Sequence, residues 1–226
     1  MKTAIINFAS GRYVVGQDRL HKSLLDVGFD GTFLSWTKEE SIGSPVHKDN
    51  PYAFKIYAFE QALKAGYTKI LWVDASIWAI KPLDPIWEAL EKHGYVKQYA
   101  GHLCGTWSSD KQLVYFGVTR DEAMKLEMYG NGGFLALDFD VPIAAEFFKR
   151  WRQAMLDGQF KGPWNNDNNC VSSDPRCKGT RHDMLCGSVI ANQLKMTAYP
   201  EHTLMVYVGE PYGEPPETAV MYAQGI

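Results

Sequence analysis

The chain has 226 residues, 46% of them hydrophobic and 22% charged, with a formal net charge of −3. That length is enough for one large domain with a substantial core, and the composition is that of a globular protein. The charge balance supplies no broad basic surface, so nucleic acid is not an expected partner.

No stretch approaches the ~18 apolar residues that a membrane-spanning helix needs, and the apolar run ending at Phe8 is too short for a secretory signal. The four cysteines, Cys104, Cys170, Cys177 and Cys186, contain no C-x-x-C pair. Free thiols and a cytoplasmic location are therefore expected. A disulfide between Cys170 and Cys177 would suit an exported protein. A zinc site built from Cys170, Cys177 and His182 matches no common ligand spacing.

Thr3 to Ala9 reads as a central strand, and Gly11 and Arg12 follow it in a tight turn. Leu20, Leu24 and Val27 then mark a helical stripe closed by Gly28, and Phe29 to Trp36 is the next strand. Asp49, Asn50 and Pro51 look like a helix start, with Phe54, Tyr57, Ala58, Gln61, Ala62 and Ala65 as the buried stripe. Lys55 falls off that stripe and reads either as a solvated lysine or as a cation aimed at the sheet edge. The apolar run Ile70 to Val73 has no periodicity, as in a strand buried on both faces, and it stops at Asp74. An acid at a strand's carboxyl end, two residues from the Ser76 hydroxyl, is placed to hold a hard cation, or else it simply caps the next turn.

Ile86 to Lys92 is predicted helical, Tyr95 to Ala100 extended, and Gly101 to Val118 irregular. Thr119 caps a helix expected to run to Met128. Gly130, Asn131, Gly132 and Gly133 precede the strand Phe134–Leu137; they suit either a ligand approaching the backbone or an ordinary hairpin turn. Pro142 to Leu156 is an amphipathic helix. A long polar loop, 157–178, carries Trp164, which could stack on a sugar or base or simply anchor the loop. Arg181 to Leu194 turns helical and puts His182 and Asp183 at its N-terminus. Met196–Tyr199 and Thr203–Val208 read as short strands. Residues 209–226 lack a core pattern and read as an extended tail, leaving 1–208 as the folded domain.

Five of these pieces, in this order, resemble the GT-A fold glycosyltransferases, particularly the glycogenin-like and galactosyltransferase-like group found also in bacteria and large DNA viruses. They are the first strand, the helix with Lys55, the strand ending at Asp74-Ala75-Ser76, Asn131-Gly132-Gly133 before a strand, and His182-Asp183 opening a late helix. The resemblance implies an α/β fold, one domain with a mixed, mostly parallel sheet flanked by helices. It further implies transfer of a sugar from a nucleotide-diphosphate sugar, a UDP-sugar above all, to a glycan or protein-linked sugar, with retention and with help from Mn²⁺ or Mg²⁺. On that resemblance Asp74, Ser76 and His202 would hold the metal, Asn7, Ala9 and Arg12 the nucleoside, and Lys55, Ala75, Gly132, Gly133 and His182 the rest of the donor. Asp183, Asn131 and Asp138 would act at the sugar. Two departures stand out: Ser76 replaces a second acid, and no His-x-x-Gly-x-x-Lys pattern follows His202. A non-catalytic nucleotide- or carbohydrate-binding module is the alternative reading.

Overall fold

Thr3–Phe8 and Lys69–Val73, both almost wholly buried, lie side by side, in parallel, at the heart of a five-stranded sheet. The computed structural model describes residues 3–129, 133–209 and 214–225. Its strands are β1 (Thr3–Phe8), β2 (Thr32–Trp36), β3 (Lys69–Val73), β4 (Ile77–Ala79), β5 (Tyr95–Val96), β6 (Tyr99–Leu103), β7 (Glu127–Tyr129), β8 (Phe134–Asp138), β9 (Met205–Tyr207) and β10 (Met221–Ala223). The helices are α1 (Val14–Asp26), α2 (Ala53–Lys64), α3 (Asp84–His93), α4 (Asp110–Phe116), α5 (Arg120–Ala123), α6 (Pro142–Leu156) and α7 (His182–Gln193).

The main sheet has the order β2-β1-β3-β8-β5. β1 pairs in parallel with β2 and β3, while β8 runs antiparallel to both β3 and β5. The fold is thus α/β with a mixed, mostly parallel sheet. Period-two alternation splits β3 between two cores. Ile70 and Trp72 face a cluster with Phe59 of α2, Phe147 and Trp151 of α6 and Ile190 of α7. Leu71 and Val73 face another, with Leu20 and Leu24 of α1 and Ile86 and Leu90 of α3. Burying a side chain the size of Leu71 stabilises by about 1.5–3 kcal/mol, so a run buried on both faces fixes its own place in the sheet. α6 follows its predicted bounds, and Phe147, Trp151, Ala154 and Met155 form its inward stripe.

Several expectations are corrected. α2 begins at Ala53, beyond the turn at Pro51, and Tyr52 before it adopts φ 60°. Its buried residues are Ala53, Lys55, Ile56, Ala58, Phe59 and Ala62, a face rotated from the predicted one because the helix is covered on more than one side. The stretch expected to be irregular contains β6 and α4, and α4 starts at a capping box of Ser109 with Gln112. α5 ends at Ala123, and Met128 lies in β7 instead. Met196–Tyr199 forms only an isolated bridge, between Gln98 and Tyr199. The tail is not simply extended: β10 pairs with β4 on one side and β9 on the other, burying Val220, Met221 and Ala223. An apolar run, Ala219 to Ala223, had been hidden behind the Pro- and Gly-rich segment. Among the described residues no helix is long and apolar enough to cross a membrane.

Candidate active site

Because β1 and β3 are parallel, their carboxyl ends open together onto one crevice, the place where open α/β sheets bind ligands. Ala9 and Ser10 emerge from β1 beside Asp74, Ala75 and Ser76 from β3, and all line a cleft of about 500 Å³. β8 starts here too: the Asp74 amide donates to the Gly133 carbonyl at 2.8 Å. A Cβ on Gly133 would stand 3.1 Å from Ile77 Cδ1, a tight approach, and 3.5 Å from Asp74 Oδ2, in ordinary contact with the acid.

Beneath the cleft lies a buried charge cluster. Lys55 is only 1% exposed, and its ammonium is 2.9 Å from Asp183 Oδ2 and 3.6 Å from Asp74 Oδ1. Trp72 Nε1 donates to the same Asp74 oxygen at 2.8 Å. Burial works against the lysine's charge, but Asp183 and Asp74 outweigh it and raise its pKa. Burial likewise raises the pKa of Asp74, with Lys55 and Trp72 opposing. Asp183 is held from the other side as well, since Trp151 Nε1 donates to its backbone carbonyl at 2.9 Å. α2, β3, α6 and α7 therefore meet at three side chains.

The outer wall is aromatic, and its members were not singled out from sequence. Phe8 stacks on Phe54 with ring centres 4.6 Å apart, and His47 meets Tyr52 edge-on at 4.8 Å. Burial pushes the Tyr52 hydroxyl up to about 12 and lowers the His47 pKa. The tail reaches this wall through Gly225. The density of aromatic residues around Tyr52 and Phe54 was the available signal.

The expected site residues separate into groups. Ala9, Arg12, Asp74, Ala75 and Ser76 line the cleft, with Lys55 and Asp183 behind it. Asn7 does not face it. Its side chain is fully buried, donating to Val73 O at 2.6 Å and accepting from Gln17 at 2.7 Å, so it ties β1 to β3 instead. His182 is buried as well, with Nε2 3.0 Å from Gly162 O and its ring 4.6 Å from that of Trp164. Asp138 sits at the opposite edge of the sheet, paired in register with Lys69, because β8 runs antiparallel to β3. It cannot take part at the sugar. Asn131 and Gly132 lie outside the described residues.

His202 lines a second cavity, of about 270 Å³, with Gly133, Tyr99, His102, Met184 and Glu201. Gly133 thus lies between the two hollows. Among the described residues no group of three or more His, Cys, Asp or Glu side chains is poised to share a metal ion. Asp74 Oδ2 accepts no hydrogen bond from them, and it shares the cleft lining with Ser76, so one carboxylate oxygen and one hydroxyl are the oxygen donors offered there to a hard cation. All four cysteines are free; Cys177 Sγ is 3.3 Å from Ser108 O, and no thiol pairs with His182. The polar loop is knit together by Asn166, which accepts from Val171 N and Ser172 N and donates to Ser172 O and Cys177 O.

An open sheet with a polar cluster at the carboxyl ends of its central strands has the layout in which α/β proteins hold their ligands. Comparison with solved structures narrows the fold to that of GT-A-type glycosyltransferases. A glycosyltransferase involved in glycosylation of the PBCV-1 major capsid superposes with a TM-score of 0.58 at 12% identity, over 99% of this chain and 93% of the other. Mouse xyloside xylosyltransferase 1 gives 0.54 at 10% identity, over 99% and 98% of the two chains. The bifunctional glycosyltransferase WbbM gives 0.56 at 10% identity, over 98% of this chain and 45% of the longer one. No protein-family model matches the sequence, and no curated protein sequence matches it significantly.

Proposed function

We propose that this protein is a glycosyltransferase that moves a sugar from a nucleoside-diphosphate sugar, a UDP-sugar above all, to an acceptor hydroxyl on a glycan or protein-linked sugar. The observation that carries this reading is Lys55, buried between Asp74 and Asp183 at the carboxyl edge of a GT-A sheet. The aromatic wall of Phe8, Phe54 and Tyr52 offers faces for a base, and Arg12 stands at the rim. Asp74 and Ser76 would hold Mn²⁺ or Mg²⁺, which as a Lewis acid supplies charge stabilisation to the leaving diphosphate. Lys55 adds a fixed positive charge in the same place and keeps Asp183 turned towards the donor. The Asp183 carboxylate orients the sugar hydroxyls and stabilises positive charge on the ring as the glycosidic bond lengthens. Gly133, before β8, leaves room for the sugar to lie against its backbone. Retention of anomeric configuration belongs to this reading.

The direct test is product analysis after incubation with Mn²⁺ and a panel of nucleotide sugars, together with calorimetry on UDP. The reading expects UDP binding and release of UDP from at least one donor. One observation favours a second reading, a non-catalytic nucleotide- or carbohydrate-binding module: Asp74-x-Ser76 offers a single acid. That module would bind UDP or a saccharide and turn over no donor.

A further inference from the structure

Arg181 precedes α7, and its backbone amide donates to Trp107 O at 3.3 Å. Its guanidinium lies over Trp107, 3.4 Å from the ring centre, with Trp164 at 4.8 Å. Nη1 donates to the carbonyls of Trp164 at 3.1 Å and Thr180 at 2.9 Å. Nε and Nη2 donate to nothing among the described residues, and no carboxylate there pairs with this cation. Arg120, Arg150, Arg152 and Arg176 each meet an acid, whereas Arg12 and Arg19, like Arg181, rest on aromatic rings instead. Asp183, two positions on, is taken by Lys55.

The place of this cation is as telling as its lack of an acid. Trp164 touches the His182 ring at 4.6 Å and the Tyr52 ring at 6.1 Å, and Tyr52 walls the cleft. Trp107 meets His102 at 5.9 Å, and His102 lines the second cavity beside Gly133. Arg181 therefore lines neither hollow but reaches the wall of each through one stacked indole, Trp164 towards Tyr52 and Trp107 towards His102. Asp74 and Ser76, the seat proposed for the diphosphate, lie inside the cleft beyond Tyr52.

We infer that Arg181 anchors an anionic group, a uronate carboxylate or a sugar phosphate, on the acceptor saccharide. The inference rests on the transferase reading. Stacking on an indole fixes the plane of a guanidinium, and its Nε–Nη2 edge presents two parallel donors that match a carboxylate or phosphate. The Trp164 indole, 49% exposed, adds a face for a sugar ring. Burial lowers the Arg181 pKa, and two carbonyls and two indole faces are the partners of its charge among the described residues. A bound anion supplies an opposite charge.

The test is an NMR titration of the full chain with methyl β-glucuronide, glucose 6-phosphate, methyl β-glucoside and UDP, for the parent, Arg181→Gln and Arg181→Lys. The charged sugars should bind at least tenfold tighter than the neutral glucoside. Arg181→Gln should erase that preference and leave UDP affinity unchanged, whereas Arg181→Lys, which keeps the charge without the fork, should retain part of it. Melting curves establish that each variant is folded, and the lysine variant serves if the glutamine one is not. Equal binding of charged and neutral sugars by the parent overturns the anchor, as does a preference that survives Arg181→Gln. Loss of UDP binding in Arg181→Gln would reassign the guanidinium to the donor's phosphates. Failure of the parent to bind UDP while the preference holds would instead count against the transferase reading.

Discussion

Lys55 and Asp183 are 128 positions apart in the chain, yet their charged atoms are 2.9 Å apart in the fold. The lysine is also the buried partner of Asp74, so one ammonium holds two carboxylates together. Removing the lysine leaves two carboxylates facing each other with no cation between them, whereas removing either acid leaves an ion pair.

Lys55→Met should therefore destabilise the protein by about 3–5 kcal/mol, the usual cost of breaking a buried pair from one side. Lys55→Met combined with Asp183→Leu should recover part of that loss. Urea denaturation followed by circular dichroism reads both. A single variant as stable as the parent would mean that the cluster contributes nothing to the fold.

Asp74→Asn keeps the shape of the side chain and removes its charge. Calorimetry should show that Mn²⁺ no longer strengthens UDP binding, while the melting temperature shifts only modestly. Metal-enhanced binding undiminished in this variant would remove Asp74 from the metal seat.

Burial holds His47 and His182 below the ordinary imidazole value of 6.5. The folded state thus favours neutral rings, and the unfolded chain takes up protons first as the pH falls. Stability from this source is intact above about pH 6.5 and is lost progressively below it. His182→Gln should flatten the decline in melting temperature between pH 7 and pH 5.5 relative to the parent. Parallel melting curves for the two proteins would show that His182 binds its proton equally well folded and unfolded, against the lowered value.

Lys97 is a second buried lysine, and its ammonium has no hydrogen-bond partner among the described residues. It lies 3.9 Å from the ring centre of Tyr129, and burial drives its pKa well below the ordinary lysine value. Lys97→Met should raise stability by about 1–3 kcal/mol, since an unsatisfied polar group is replaced by an apolar one of similar length. Chemical denaturation at pH 7 measures the gain, and a loss would indicate a bond outside the described residues.

Asp74 was legible because an apolar run ended abruptly on an acid, a contrast that depends on nothing distant. α6 was legible for a similar reason, since one side of it faces water and its stripe is clean. Lys55 stayed ambiguous because α2 is covered on more than one face, which erases the polar-to-apolar contrast that marks a solvated residue. Asp138 was misplaced because sequence does not reveal strand direction: antiparallel pairing put it at the far edge, beside Lys69. Asn7 has the composition of a ligand contact, but its bonds to Val73 and Gln17 arise only once β1 and β3 pair. The Arg181 stack needed Trp107 and Trp164, which no local pattern links to it.

The pairing of β10 bears on the order in which the molecule assembles. Met221 registers with Ala79 and with Met205, so this small sheet needs one very distant contact as well as a nearer one. Distant strand pairing carries its loop-closure cost before it gains any contact, which slows folding. Until β10 docks, β4 presents an unpaired edge close to the Asp74 cleft, and open edges of that kind recruit other chains. Refolding at high protein concentration should therefore lose material to aggregation at this step, and dilution should restore the yield.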